Sequence, residues 1–311
     1  MLSRVADSLY WMSRFLERAE NTARSLDVHL NLVLELSPQV GQRRYLDVLN
    51  SLQIPIPEGP PPSSTDIALN ASMPESISSC IGGARENARQ IREQISSEMF
   101  EQLNRLFLYV RSASTREQFA IEPHSVFRKV KDGAHLFQGI TDSTMSHGQG
   151  WQWIQAGRYL ERADLVAGIL LNHMKHGVDI KDVDPHHYSE LLGILKNCTA
   201  WEAYCKVHGA ELTDKNVAEF LLLNGDFPHS LYFCVKQLSV TLNALAQLTG
   251  MTAQKTLEDK IGRIQARLRY SKLEEFSGTS LAEFLLEVRR EMHLSHVRLY
   301  EIYLSHSFSR S

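Results

Sequence analysis

Two glutamates, Glu17 and Glu161, sit at the centre of the same pattern, Arg-x-Leu-Glu-Arg-Ala-acid. One copy runs from Arg14 to Glu20 and the other from Arg158 to Asp164, 144 positions later in a chain of 311 residues. On a helix, Arg14 and Arg18 are four apart, a like-charge spacing that costs a few tenths of a kcal/mol unless something negative lies between the guanidiniums. The spacing recurs as Arg158 and Arg162. Planar guanidinium forks suit carboxylate and phosphate groups. Arg14, Arg18, Arg158 and Arg162 are therefore candidate anion-binding residues, with Asn21 one turn beyond. Glu17 and Glu161 are candidates for orienting those arginines or for general acid/base catalysis.

A second basic face follows in Arg85-Glu86-Asn87-Ala88-Arg89, with Arg92 beyond it and Gly82 and Gly83 just before it. Arg85, Asn87 and Arg89 join the candidate set, because together with the two motifs they would line a basic cleft punctuated by acids. Ser230 ends the turn Asn224-Gly-Asp-Phe-Pro-His-Ser230 and starts a helix. It is a candidate cap, and free N–H groups beside it could meet an anion. A second reading of the same charges stays open: buried Glu–Arg pairs can serve only to fix how two parts of a chain dock.

The elements that must position these groups are helical. Leu2, Val5, Leu9, Met12, Leu16, Ala19, Ala23, Leu26, Leu30 and Val33 step by three and four, which predicts one helix of about nine turns. Trp153, Ala156, Leu160, Ala163, Ala167, Leu170 and Met174 repeat the stripe, and Ile77 through Ile95 form another. Further helices are expected near 43–52, 101–111, 124–145, 187–208, 214–223, 229–249, 254–272 and 280–306. Strand patterns are absent. Prolines 55, 57, 60, 61 and 62 make Ile54–Asp66 a loop. Shorter breaks are expected at Asp179–Pro185 and around Gly278. The charged residues of the first helix, with Tyr10 and Trp11, lie opposite its apolar seam. A Trp on that face argues against a merely solvated surface.

The motif is part of a longer internal likeness. Asn70, Pro74, Ser76 and Cys80 align with Asn224, Pro228, Ser230 and Cys234, and Val130 and His135 align with Val288 and His293. The expected architecture is an all-α, internally duplicated helical bundle. Residues 1–150 and 151–311 would be two similar halves about a pseudo-two-fold axis, within one compact unit.

Composition narrows the function classes. Hydrophobic residues make up 43% and charged residues 22%, ordinary for a globular chain, and a net charge of −3 gives no bulk attraction to nucleic acid or anionic membrane. No apolar run reaches transmembrane length, and a cytoplasmic, reduced protein is expected. The cysteines Cys80, Cys198, Cys205 and Cys234 read as core residues rather than ligands or nucleophiles. Helical di-iron sites need Glu-x-x-His, which does not occur, so no metal is expected. No Walker, nucleophile-elbow or dinucleotide-binding glycine motif occurs either.

The opening Leu2-Ser3-Arg4-Val5-Ala6-Asp7-Ser8-Leu9-Tyr10-Trp11-Met12, running into Arg14-x2-Glu17-Arg18-Ala19-Glu20-Asn21-Thr22-Ala23-Arg24, resembles the bacterial alpha-E family. Glu86-Asn87-Ala88-Arg89, the second Glu-Arg motif and the Pro228-x-Ser230 turn match as well, so the resemblance covers nearly the whole chain. The family usually has Pro-Arg-Ser at that turn, whereas His229 stands here, which weakens any anion-binding role for it. The resemblance implies an all-helical domain encoded beside, or fused to, a circularly permuted ATP-grasp protein, often with a transglutaminase-like protein. It therefore implies a part in ATP-dependent amide formation or peptide modification, with ATP and Mg entering through the partner and no cofactor held by this chain. The alternatives are a stand-alone transferase or peptide-modifying enzyme with its site between the halves, and a non-catalytic helical scaffold.

Overall fold

A computed structural model describes residues 1–175, 185–250, 255–276 and 279–303. Among these residues the chain is helical, with no strand. The expected break at Asp179–Pro185, except Pro185, which opens a helix, and the one around Gly278 lie outside the described residues. The first half runs α1 (Ser3–Leu32), α2 (Pro38–Ser51), α3 (Ser64–Leu69), α4 (Ile77–Gln90), α5 (Ser97–Arg111), α6 (Ala113–Ile121) and α7 (Pro123–Thr144). The second runs α8 (Gln149–Lys175), α9 (Pro185–Asn197), α10 (Trp201–His208), α11 (Asp214–Leu223), α12 (Leu231–Thr249), α13 (Lys255–Tyr270) and α14 (Thr279–Tyr303). None of the described helices is long and apolar enough to cross a membrane.

Hydroxyl caps set many of the boundaries. Ser76, Ser96, Ser112, Thr213 and Ser230 each accept a hydrogen bond from the backbone N–H three residues on, satisfying a donor that the first helical turn leaves free. Ser63 and Asp66 form a reciprocal capping box. A helix therefore begins inside the stretch expected to be wholly loop, and the Tyr45 hydroxyl pins the preceding prolines by donating to the Pro62 carbonyl at 2.6 Å. The stripe from Ile77 to Ile95 is not one helix. Ser96 must be extended to cap α5, so α4 stops at Gln90 and a 3-10 turn over Arg92–Gln94 carries Ile91 and Ile95 into the core. The run expected at 187–208 divides at Thr199, whose φ of +52° no α-helix accommodates. Leu2, at the head of the first stripe, is exposed.

The two long helices α1 and α8 form the centre. Each packs on the other; α1 also packs on α4 and α7, and α8 on α12 and α14. Helices α3 and α5 lie on α4 as α11 and α13 lie on α12. Helix α2 rests on α8, while α9 rests on α1, so each reaches across to the other half's long helix. The crossing of α1 and α8 is close because of Gly157: a Cβ there would lie 2.5 Å from the Tyr10 carbonyl oxygen. Beyond Leu2 the apolar stripes of both helices turn inward as their periodicity implies, and on their charged faces Glu17, Glu20, Arg24, Arg158 and Arg162 are buried too. Cys80, Cys198 and Cys234 lie in the core, where burial pushes each thiol up to about 12.

Candidate functional site

Residues 14, 17, 18, 21 and 24 lie within one arc of α1, and 158, 161 and 162 within the matching arc of α8. The α1–α8 crossing brings the two arcs face to face. The Arg162 Nε and Nη2 donate to Glu17 Oε1 and Oε2 at 2.6 and 3.0 Å. The Arg18 Nε and Nη2 donate to Glu161 Oε1 and Oε2 at 2.5 and 3.1 Å. Each glutamate thus takes the arginine that follows the other glutamate, in two reciprocal fork pairs. Arg14 adds a third bond set on Glu161, with Nε at 2.9 Å and Nη2 at 2.8 Å.

The two carboxylates are fully engaged. Glu17 is 1% exposed and also accepts from Gln138 at 3.2 Å and Asn21 at 3.5 Å. Burial alone would raise the Glu161 carboxyl, but Arg18 and Arg14 overcome it and hold it down at about 2. Arg14 lies over the Trp11 ring, 4.9 Å from its centroid, and Tyr10 stacks on His296 of α14. The acid after each motif is used as well. Glu20 accepts from Arg24 and faces His135 at 3.5 Å; against the upward push of burial, these partners hold its carboxyl below the usual range. Asp164 accepts from Arg289 at 3.2 Å and Gln53 at 2.7 Å, while burial pushes it up.

Arg158 is the exception. It is 7% exposed, and among the described residues no carboxylate pairs with it. Its Nη1 donates to Gln155 Oε1 at a long 3.3 Å, and the Gln155 Nε2 is itself buried without a partner. Burial, then neighbouring Arg162, lowers its affinity for its proton, with Glu17 opposing. Arg14, its counterpart 144 positions earlier, has both Glu161 and an aromatic face.

The remaining candidates lie elsewhere. Arg85 donates to Asn104 at 3.3 Å and lies over Phe107, Arg89 pairs with Glu86 on the surface, and Asn87 donates to the Gly83 carbonyl at 2.8 Å. None of the three bonds to either motif among the described residues, so α4 does not complete one cleft with them. Gly83 serves packing: a Cβ there would stand 3.0 Å from the Phe15 ring. Ser230 caps α12, and Arg162 Nη1 donates to the Pro228 carbonyl beside it at 3.2 Å. His229 is buried next to this arginine, and burial with the Arg162 charge keeps it neutral. Gln138, Gln155, Arg289 and His296 escape sequence reasoning because no motif marks them. The available signal is positional: Gln138 and His296 are 158 apart, the same offset as His135 and His293.

Three relatives, one from Mycobacterium bovis and two from strains of Mycobacterium tuberculosis, are named only as uncharacterized proteins. Each is 22% identical over 324 aligned positions, covering 94% of this chain and 35% of the relative. The chain thus spans about a third of the length of the curated relatives it matches. No solved structure matches it. The family model described as a predicted alpha-helical domain with a conserved ER motif matches residues 1–304, and the chain belongs to this family, alpha-E.

Proposed function

We propose that this chain is the helical partner of an ATP-grasp amidoligase, working in the cytoplasm, and that it receives a carboxylate or phosphate group of that system at Arg158. The observation that carries the reading is the unmatched buried guanidinium. A buried guanidinium that no carboxylate bonds directly is unfavourable, and an anionic ligand at Arg158 would supply the bonds that Glu161 supplies to Arg14. ATP and Mg would be held by the ligase, with a transglutaminase-like protein as a further partner. The curated relatives support the reading in one respect: the domain is a minor part of longer chains. Glu17 and Glu161 then act as positioning residues. Carboxylates whose oxygens are held by guanidiniums are poorly placed to exchange protons. We also infer that residues 1–150 and 151–311 are two copies of one unit. The order of packing around α1 and around α8 supports this, as do the reciprocal Glu–Arg forks.

The test is co-elution of the purified chain with the ATP-grasp protein encoded beside it, with ADP release followed over amino-acid and peptide substrates. Arg158→Met should leave the complex intact and reduce chain-dependent ADP release by about tenfold or more, the weight of one charged hydrogen bond. No complex, or a complex whose ADP release ignores Arg158→Met, would overturn the reading. The reciprocal ion pairs favour a rival, a plain scaffold. Under it, Arg158→Met only raises the melting temperature, by removing an uncompensated charge.

A further inference from the structure

A cavity of about 110 Å³ lies between α1, α2, α8 and α9, towards the C-terminal end of α8 from Arg158. Arg158 and Ile169 of its wall are about 16 Å apart along α8 at ~1.5 Å per residue. The walls are built from matching positions. Ser25, Val28 and His29 of α1 face Ile169, Asn172 and His173 of α8, each pair 144 apart. Arg44, Asp47, Val48 and Ser51 of α2 face Glu190, Gly193, Ile194 and Asn197 of α9, each pair 146 apart.

The two sides match in position but not in chemistry. Arg44 stands where the other half has Glu190, and the two meet in an ion pair at the mouth, with Glu190 a third exposed. Asp47 adds a second carboxylate to the wall, and Val28, Leu32, Val48 and Ile194 give it an apolar side. Asn172 is committed, donating to the Asp47 carbonyl at 3.1 Å and the Ser51 hydroxyl at 2.8 Å. The His173 Nε2–H donates to Asp214 at 2.9 Å, and the His187 Nε2–H donates to the same carboxylate at 2.7 Å. His29 is different: it is 8% exposed, lines the cavity and lies against the Tyr45 ring, and among the described residues its imidazole makes no side-chain hydrogen bond. Its imidazole gives the wall a polar group that a ligand in the cavity could meet.

We propose that this cavity binds a small α-amino acid, its carboxylate taken by Arg44 with His29, and its ammonium by Glu190 with Asp47. The charge pattern selects the class. Two carboxylates on the wall oppose a simple anion, and Arg44 opposes a simple cation. A molecule carrying both charges on neighbouring atoms can be inserted into the Arg44–Glu190 pair and complete both ends. The volume selects the size, since a cavity of roughly 150 Å³ holds a benzene. The apolar wall accepts a short aliphatic side chain. The cavity stands apart from Arg158, so the loss of one site leaves the other intact.

Isothermal titration of the purified chain with glycine, alanine, serine and valine tests this, with acetate and methylamine as single-charge probes. At least one zwitterion should bind more tightly than either probe. Arg44→Gln and Glu190→Gln should each weaken it by about tenfold or more, as expected for a lost charged hydrogen bond. Val48→Phe, which fills the cavity without touching the ion pair, should abolish binding and keeps the test open if a charge variant fails to fold. Binding of no amino acid at millimolar concentration overturns the proposal. So does equal binding of acetate, or binding that survives Val48→Phe.

Discussion

Removing Glu17 is the sharpest test of the reciprocal forks. Its carboxylate compensates the buried Arg162 through two bonds and opposes the burial of Arg158, one turn earlier on the same helix. In Glu17→Ala both guanidiniums remain buried with no carboxylate between them. Breaking a buried pair by removing one partner costs about 3–5 kcal/mol. For a chain of 311 residues, 1 kcal/mol corresponds to roughly 1.5 °C in melting temperature, scaled from the per-residue unfolding entropy. Glu17→Ala should therefore melt roughly 5–8 °C below the parent in a calorimetric scan. The double variant Glu17→Leu/Arg162→Met removes both charges and should recover much of that loss, because apolar replacement of a buried pair is often neutral. A drop of less than about 2 °C for the single variant, or a double variant no better than the single, would refute the claim that the motif is a buried cross-link between the long helices.

Acid should destabilise the fold in two stages. His29 and His296 are held down at about 4 by burial, against the ordinary 6.5. The unfolded chain therefore binds protons first, and stability falls as pH drops from 6.5 towards 4. Glu161 is held at about 2 against the ordinary 4.5, so its contribution, about 3 kcal/mol, is complete above pH 4.5 and is lost as pH falls through 2. Urea melts from pH 7 to pH 2 check both stages; His29→Gln should flatten the first, and a parent equally stable at pH 7 and pH 4 would contradict it. Gly157→Val should cost about 1–3 kcal/mol by overpacking, because the obstacle is the Tyr10 backbone oxygen rather than a movable side chain. Gly139→Ala, which meets nothing within 4 Å on α7, should be neutral or mildly stabilising in the same thermal scans. Equal effects of the two would show that the helix crossing is not close at Gly157.

The all-helical class and the family were legible in the residues themselves. Apolar residues at steps of three and four have one regular solution, and hydroxyl caps such as Ser76 and Ser230 are local signals read over a few residues. The paired motifs also pointed to an anion or a shared carboxylate between Arg14 and Arg18, and Glu161 accepts from both. Where local signals competed, the longer stripe misled: Ile91 and Ile95 are buried as helix positions would be, yet the Ser96 cap ends the helix before them. What linear order left open was which charges meet. Whether Glu17 would face Arg14, its neighbour by three, or Arg162, far along the chain, depends on how α1 and α8 cross. Gly157 permits that crossing, and the packing around it fixes the outcome. The same tertiary arrangement kept Arg85 and Arg89 away from the motifs and left Arg158 without the partner that its twin enjoys. It also gathered His29, Arg44 and Glu190 around one cavity. A helix's periodicity follows from neighbours in sequence, whereas the pairing of buried charges depends on which distant faces exclude water together.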